Sequence, residues 1–249
     1  MKESDDTFNE RYSRQIKLPQ MGVGGQQRLR DARVLIIGMG GLGSPAALYL
    51  ASAGVGQLVI SDFDRVELSN LQRQIIHREA TIGEPKAESA RLTLNEINSS
   101  VRVTAIDWQL SDDELTQQID LADVVLDCSD NFETRFAVND TCIAVGTPLV
   151  SGAAIRFEGQ LLTIDPGKSN TPCYRCLFPD EGFSETCSAE GVLSPVVGVI
   201  GVLQALEAVK LISGVGIPLT GHLLLFDGLN GVFNRMKLRQ DPACVCCAS

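Results

Sequence analysis

Arg33-Val-Leu-Ile-Ile-Gly-Met-Gly-Gly-Leu-Gly43 decides the fold of this chain. Its first five residues form a short apolar, β-branched run, as expected of a strand buried on both faces. The run enters a turn in which Gly38, Gly40 and Gly43 fit the dinucleotide fingerprint. Such glycines permit a tight turn, close backbone approach to phosphate and close helix–strand packing. A helix over Ser44 to Ala53 follows, closed by Gly54 at its C-terminal end. Leu58 to Ser61 is a second buried strand, and Asp62 ends it where a carboxylate can accept ribose hydroxyls. The unit predicts nucleotide binding, with free helical N–H groups facing the anion. The plainer alternative is a glycine turn that merely packs.

The alternation continues outward. Pro85 starts a helical pattern to Ile97, and Val101 to Ile106 reads as a strand. Ala122 to Asp127 is another strand; Asp130 or Asn131 can cap the helix that ends near Gly146. Pro148 to Val150 is a short strand. Alternating strands and helices predict an α/β fold with a doubly wound, mostly parallel Rossmann-like sheet. Beyond it, Gly159 to Asp165, His222 to Asp227 and Val232 to Leu238 read as strands around one apolar helix, Pro195 to Ile212. They predict an antiparallel or mixed extension of the same sheet. No linker or repeat divides the 249 residues, which are expected to form one domain.

The downstream residues favour a triphosphate over NAD. Asn70 and Arg73 lie in Leu68-Ser-Asn-Leu-Gln-Arg-Gln74, soon after Asp62; Lys86 opens a helix; Asp130 and Asn131 follow a strand. Cations neutralise phosphate, and carboxylate oxygens hold Mg²⁺. Singly, Arg73 and Lys86 read as surface charges and Asp130 as a helix cap; their shared sheet edge makes the set meaningful.

Composition narrows the partners. Lys and Arg total 21 against 31 Asp and Glu, a formal net charge of -10. Nucleic acid and anionic membranes are therefore not expected partners. The N-terminus has no apolar secretory core, and Val192 to Ile212 is interrupted by Pro195, Gln204, Glu207 and Lys210, so a cytoplasmic location without a membrane span is expected.

Eight cysteines stand against two histidines. Cys173-Tyr-Arg-Cys176 and Cys244-Val-Cys-Cys247 are paired C-x-x-C knuckles, the donor set of a closed structural Cys₄ zinc site. A redox dithiol or scattered buried thiols are the alternatives, and Cys246 can substitute for a neighbour or stay free. Cys128 and Cys142 read as small buried hydrophobes. Cys187 lies in a polar, glycine-bounded stretch; its neighbours Glu185 and Glu190 oppose a thiolate.

Arg11-Tyr-Ser-Arg-Gln15, the glycine turn, Asp62-Phe-Asp64, Leu68 to Gln74, Pro85-Lys86, Asp127-Cys-Ser-Asp-Asn131 and the two knuckles, in this order, closely resemble the molybdopterin-synthase and thiamine-pathway adenylyltransferase family, bacterial relatives of ubiquitin-activating enzymes. The resemblance covers Arg11 to Cys247. It implies an adenylyltransferase whose substrate is a small ubiquitin-like sulfur-carrier protein ending in Gly-Gly. The carrier carboxylate attacks the α-phosphate of ATP, giving an acyl-adenylate and pyrophosphate before thiocarboxylation. By matched motif, the glycine turn with Gly41, together with Asp62, Asp64, Ser69 and Asn131, belongs to the nucleotide site. Asn70, Arg73 and Lys86 hold phosphates, Asp130 organises Mg²⁺, and Arg14 acts from the other subunit of a homodimer. Cys173, Cys176, Cys244 and Cys247 match the zinc ligands, and Cys187 matches a loop cysteine that forms an acyl or sulfur link to the carrier.

The implied organisation is an N-terminal helical segment (1–30), a nucleotide-binding half (31–150) and a carrier-binding and zinc half (151–249). The chain ends soon after Cys247 with no fused sulfurtransferase, so an external sulfur donor protein is expected. Ser151 to Gln160 resembles the molybdopterin branch, whereas Ser194 to Gly198, Leu203 to Glu207 and Leu225 to Gly228 resemble the thiamine branch at least as well. An NAD-dependent oxidoreductase leaves Arg73, Lys86, Asp130 and the knuckles idle. A non-catalytic zinc-stapled module that binds a carrier protein uses the knuckles but leaves Arg14, Asn70, Arg73, Lys86 and Asp130 idle.

Overall fold

The computed structural model describes residues 5–169, 171–178 and 190–248. Cys187 lies outside them. Three N-terminal helices, α1 (Asp5–Arg11), α2 (Ser13–Ile16) and α3 (Gly22–Asp31), precede the first strand. Then come β1 (Arg33–Ile37), α4 (Gly43–Ala53), β2 (Gln57–Ser61), α5 (Lys86–Ile97), β3 (Arg102–Ile106), α6 (Asp112–Asp120), β4 (Val124–Asp127), α7 (Phe132–Val145) and β5 (Leu149–Ile155). The remainder is β6 (Glu158–Ile164), α8 (Tyr174–Leu177), α9 (Ser194–Ser213), β7 (His222–Asp227) and β8 (Val232–Lys237).

All eight strands join one sheet in the order β3-β2-β1-β4-β5-β6-β7-β8. Pairing is parallel from β3 through β5 and antiparallel from β5 through β8. The sheet reverses direction where β5 meets β6, and the extension is wholly antiparallel. Strand alternation splits the core into two layers. Val34, Ile36, Leu58 and Leu126 pack with Leu50 of α4 and Ile200 of α9. Leu35, Ile37, Val59 and Val125 pack with Ile119 of α6 and Val138 and Cys142 of α7.

Two elements depart from the sequence reading. Helix α6 was not anticipated, although Ser111 and Glu114 form its capping box, with the Ser111 side chain accepting from the Glu114 N–H. Strand β5 runs well past Val150, because the small residues Gly152 to Ala154 give little β signal on their own. Gly152 is needed there: a Cβ would meet the Gln204 carboxamide carbon at 2.5 Å.

Helix α9 is long and apolar enough to cross a membrane by length and composition, which the sequence reading had discounted. In the structure it lies against α4 and β5. Its polar residues are bonded inside the core. Gln204 Nε2 donates to the Asp127 carbonyl at 2.8 Å and the Val150 carbonyl at 3.2 Å. Glu207 Oε2 accepts from Thr163 Oγ1 at 3.0 Å and Leu219 N at 2.7 Å. Gly201 lets α9 approach α4, since a Cβ there would overlap the Leu42 carbonyl oxygen and stand 2.7 Å from Pro45 Cγ.

His77 is buried beneath the glycine turn. Its Nε2 donates to the Met39 carbonyl at 3.0 Å, because a carbonyl only accepts, so Nδ1 accepts from Ser89 Oγ at 3.0 Å. Burial, then the charges of Lys86 and Arg78, lowers its pKa to about 4, against the Met39 hydrogen bond.

Two outcomes are expected. Gly201→Ala pushes α9 off α4 and costs about 2–3 kcal/mol, read as a fall of roughly 5–10 °C in melting temperature. Below pH 6.5 the unfolded chain protonates His77 while the folded chain does not. Stability therefore falls as pH drops from 6.5 towards 4, by up to about 3 kcal/mol for this group. Urea midpoints across that range for the wild type and His77→Gln isolate the component, which the variant lacks.

Candidate active site

The C-terminal ends of the parallel strands open into a cavity of about 580 Å³, where an open α/β sheet places its ligands. Its floor is the turn from Gly38 to Leu42. Gly38 adopts φ +94, and a Cβ on it would meet the Cys128 carbonyl oxygen at 2.8 Å. The backbone there lies open to a ligand, at the N-terminal end of α4.

Asp62 follows β2 and is tied to the turn. Its Oδ2 accepts from Met39 N at 2.7 Å and its Oδ1 from Asp64 N at 2.9 Å. Burial raises its pKa, opposed by the Lys86 charge and these two hydrogen bonds. Each carboxylate oxygen keeps capacity for a hydroxyl donor. Lys86 begins α5, is buried and lines the cavity. Its Nζ donates to Asp64 Oδ2 at 2.8 Å. Arg73 reaches the same cavity with Nη1 donating to the Ser69 carbonyl at 3.1 Å.

Asp130 and Asn131 enter from the loop after β4. Asn131, not Asp130, caps α7: its Oδ1 accepts from Thr134 N at 2.8 Å. Asp130 is exposed on the cavity wall, with no hydrogen bond to another described residue. Beneath it, buried Asp127 accepts from Ser129 Oγ at 2.6 Å and Ser151 Oγ at 2.7 Å. Arg135 lies 3.9 Å from the same carboxylate and donates to the Ser129 carbonyl at 2.5 Å.

The cavity thus gathers Gly38, Gly40, Gly41, Asp62, Asp64, Arg73, Lys86, Asp130 and Asn131. Four other expected residues do not line it. Gly43 is spent on packing, at the start of α4. Ser69 is exposed and donates to Glu67 Oε2 at 3.1 Å. Asn70 is buried, and its Oδ1 accepts from Glu67 N at 3.2 Å, so it braces the turn that carries Arg73. Arg14 is exposed on α2, away from the cavity of its own chain.

Sequence reading missed the opposite wall, Gln109, Leu110, Asp112 and Leu115. Its available signal was the Ser111–Glu114 capping box. It also missed Gln72 and Gln74, one residue either side of Arg73.

A second cluster lies on the other side of α7. The Sγ atoms of Cys173, Cys176, Cys244 and Cys247 all fall within 4.8 Å of one another. Cys173 is 3.6 Å from Cys244 and Cys176 is 3.4 Å from Cys247, so none is in a disulfide. Cys246 is outside the cluster: its Sγ accepts from Asn139 Nδ2 at 3.5 Å, and burial pushes its pKa up to about 12. Arg175 of the first knuckle pairs with Asp140 of α7 at 2.6 Å, and Asn139 accepts from Tyr174 N at 2.8 Å. Cys128 and Cys142 are buried, and burial raises both thiol pKa values.

Comparison with known proteins gives a consistent result. A family model described as the ThiF family matches residues 12–246. The chain is 48% identical over 248 residues to the molybdopterin-synthase adenylyltransferase of Escherichia coli (strain K12), covering 99% of each chain. It is 48% identical over 238 residues to the sulfur carrier protein ThiS adenylyltransferase of the same strain, covering 95% of this chain and 94% of that one. A crystal structure of E. coli MccB with ATP superposes with a TM-score of 0.83 at 25% identity, covering 96% of this chain and 74% of that one. With the family model spanning nearly every residue and named adenylyltransferases similar from end to end, the chain belongs to the ThiF family and is a nucleotidyltransferase.

Proposed function

We propose that this protein uses ATP to activate the C-terminal Gly-Gly carboxylate of a small ubiquitin-like sulfur-carrier protein in the cytoplasm, in the molybdopterin or thiamine pathway or both. One observation carries this reading: a single cavity at the end of the parallel strands brings the open glycine turn together with Asp62, Arg73, Lys86 and Asp130.

The ribose hydroxyls of ATP donate to Asp62, and the phosphate chain lies along the turn at Gly40 and Gly41. Arg73 and Lys86 neutralise the phosphates, with Lys86 exchanging its Asp64 partner for the ligand. The carrier carboxylate attacks the α-phosphorus; the bond to the bridging oxygen breaks and pyrophosphate leaves. The nucleophile belongs to the substrate, so alignment and charge stabilisation are what the protein contributes. Asp130, exposed at the cavity wall and without a hydrogen-bond partner among the described residues, is suited to hold Mg²⁺, which would neutralise charge on the phosphates.

Arg14 fits a role across a homodimer interface, since it is exposed and does not line the cavity of its own chain. The four-thiol cluster has the donor set and proximity for Zn²⁺, which would tie the C-terminal tail to α7 through the first knuckle. Sulfur comes from an external donor protein after adenylation.

Incubation of the purified protein with ATP and each candidate carrier, followed by intact mass, tests the reading and the branch: the true carrier gains the mass of an adenylyl group. If no Gly-Gly carrier is adenylated, the proposal fails. Asp130→Ala is expected to lower carrier-dependent ATP–pyrophosphate exchange by roughly a hundredfold or more, with zinc content unchanged. Cys187→Ala should keep the exchange, because adenylation needs no protein thiol; loss of exchange in a folded variant refutes that statement.

A further inference from the structure

Gln74 carries an unexplained cost. It is 4% exposed and lines the cavity, yet its Oε1 is enclosed with no hydrogen-bond partner among the described residues. An enclosed carbonyl oxygen without a donor gives up its hydration uncompensated. Packing alone does not call for an amide here, since a thioether side chain fills the same length. The backbone around it is firmly held: Gln74 N donates to the Asn70 carbonyl at 2.9 Å, and His77 N donates to the Gln74 carbonyl at 3.1 Å. The amide end stands at the glycine turn, with Nε2 only 3.6 Å from where a Cβ on Gly40 would be. The held backbone therefore places the amide at the glycine turn, with its oxygen unsatisfied.

The chemistry of a carboxamide narrows what satisfies it. Nε2 donates and Oε1 accepts. An ionised phosphate chain offers acceptors only, so Nε2 is the end that can pair with it. The unpaired Oε1 needs a donor, and the phosphates have none. The other reactant, an extended peptide ending in a carboxylate, has backbone N–H groups. The terminal torsion of the side chain is soft, so a modest turn brings the enclosed Oε1 round to a donor arriving in the cavity.

We infer that Gln74 is a catalytic residue that bridges the two substrates, Nε2 donating to the α-phosphoryl group and Oε1 accepting from the terminal glycine N–H of the carrier. The inference rests on the proposed adenylation reaction. Bridging holds the attacking carboxylate against the phosphorus, where alignment is worth most.

The test compares wild type, Gln74→Met and Gln74→Glu in carrier-dependent ATP–pyrophosphate exchange and in thermal melting. Gln74→Met keeps the length and removes both polar ends. It should lower kcat/KM for the carrier by about tenfold or more, with the KM for ATP within about threefold of wild type. Its melting temperature should be equal or higher, because the unpaired oxygen is gone. Gln74→Glu sets a negative charge against the phosphates and should lose more activity than Gln74→Met. A purely structural role predicts the reverse pattern, loss of stability in both variants, and that result or failure of Gln74→Met to fold overturns the inference. Wild-type exchange with Gln74→Met within about twofold of it overturns the Gln74 assignment alone. Absence of exchange in the wild type overturns the adenylation reading, and the bridging role with it.

Discussion

The site depends on how closely two stretches of backbone approach each other at the end of β1 and β4. Gly38, with φ +94, lies so near the Cys128 carbonyl that a side chain on it would collide with the neighbouring strand's exit loop. A Cβ on Gly43 would likewise overlap the Gly38 carbonyl oxygen. Adjacent parallel pairing of β1 with β4 brings the two loops together, and the missing side chains leave the floor of the cavity as bare backbone. Asp62 then pins the turn through the Met39 N–H, and His77 pins it from below through the Met39 carbonyl. A turn held on both sides is preorganised for an anion, so little ordering remains when a ligand binds.

A buried polar network sets the second half of the site. Asp127 is almost wholly enclosed, which is tolerable only because two serine hydroxyls and the nearby Arg135 guanidinium surround its carboxylate. Arg135 and Ser129 fix the loop that presents Asp130, while Gln204 of α9 bonds the ends of β4 and β5 to the core. The same α7 that begins at Asn131 carries Asn139 and Asp140, which hold the first cysteine knuckle. The cavity and the thiol cluster are therefore both built on α7, the first lined by residues of its N-terminal half and the second held through Asn139 and Asp140.

The strand–turn–helix–strand unit was legible because local rules govern it: apolar β-branched runs, glycines where backbone must approach closely, and Gly54 and Gly146 in left-handed helix ends. The cysteine pairs were legible for the same reason, since spacing alone sets the bite of a knuckle. Helix α6 escaped because it is mostly polar and only its cap announces it. The length of β5 escaped because Gly152 and its alanine neighbours become strand only through their partners on β6.

By itself the sequence determined which elements alternate, where the glycine turn lies and where the two cysteine knuckles sit. Those properties follow from residues near each other along the chain. Tertiary structure alone decided that Asn70 braces a turn without lining the cavity, that Asn131 and not Asp130 caps α7, and that Cys246 is left out of the thiol cluster. It also decided that Gln74 sets its amide nitrogen beside Gly40 while its oxygen is enclosed with no partner among the described residues. Each of these depends on where a side chain points once distant segments have packed, and hydrogen-bond partners are chosen only at that stage.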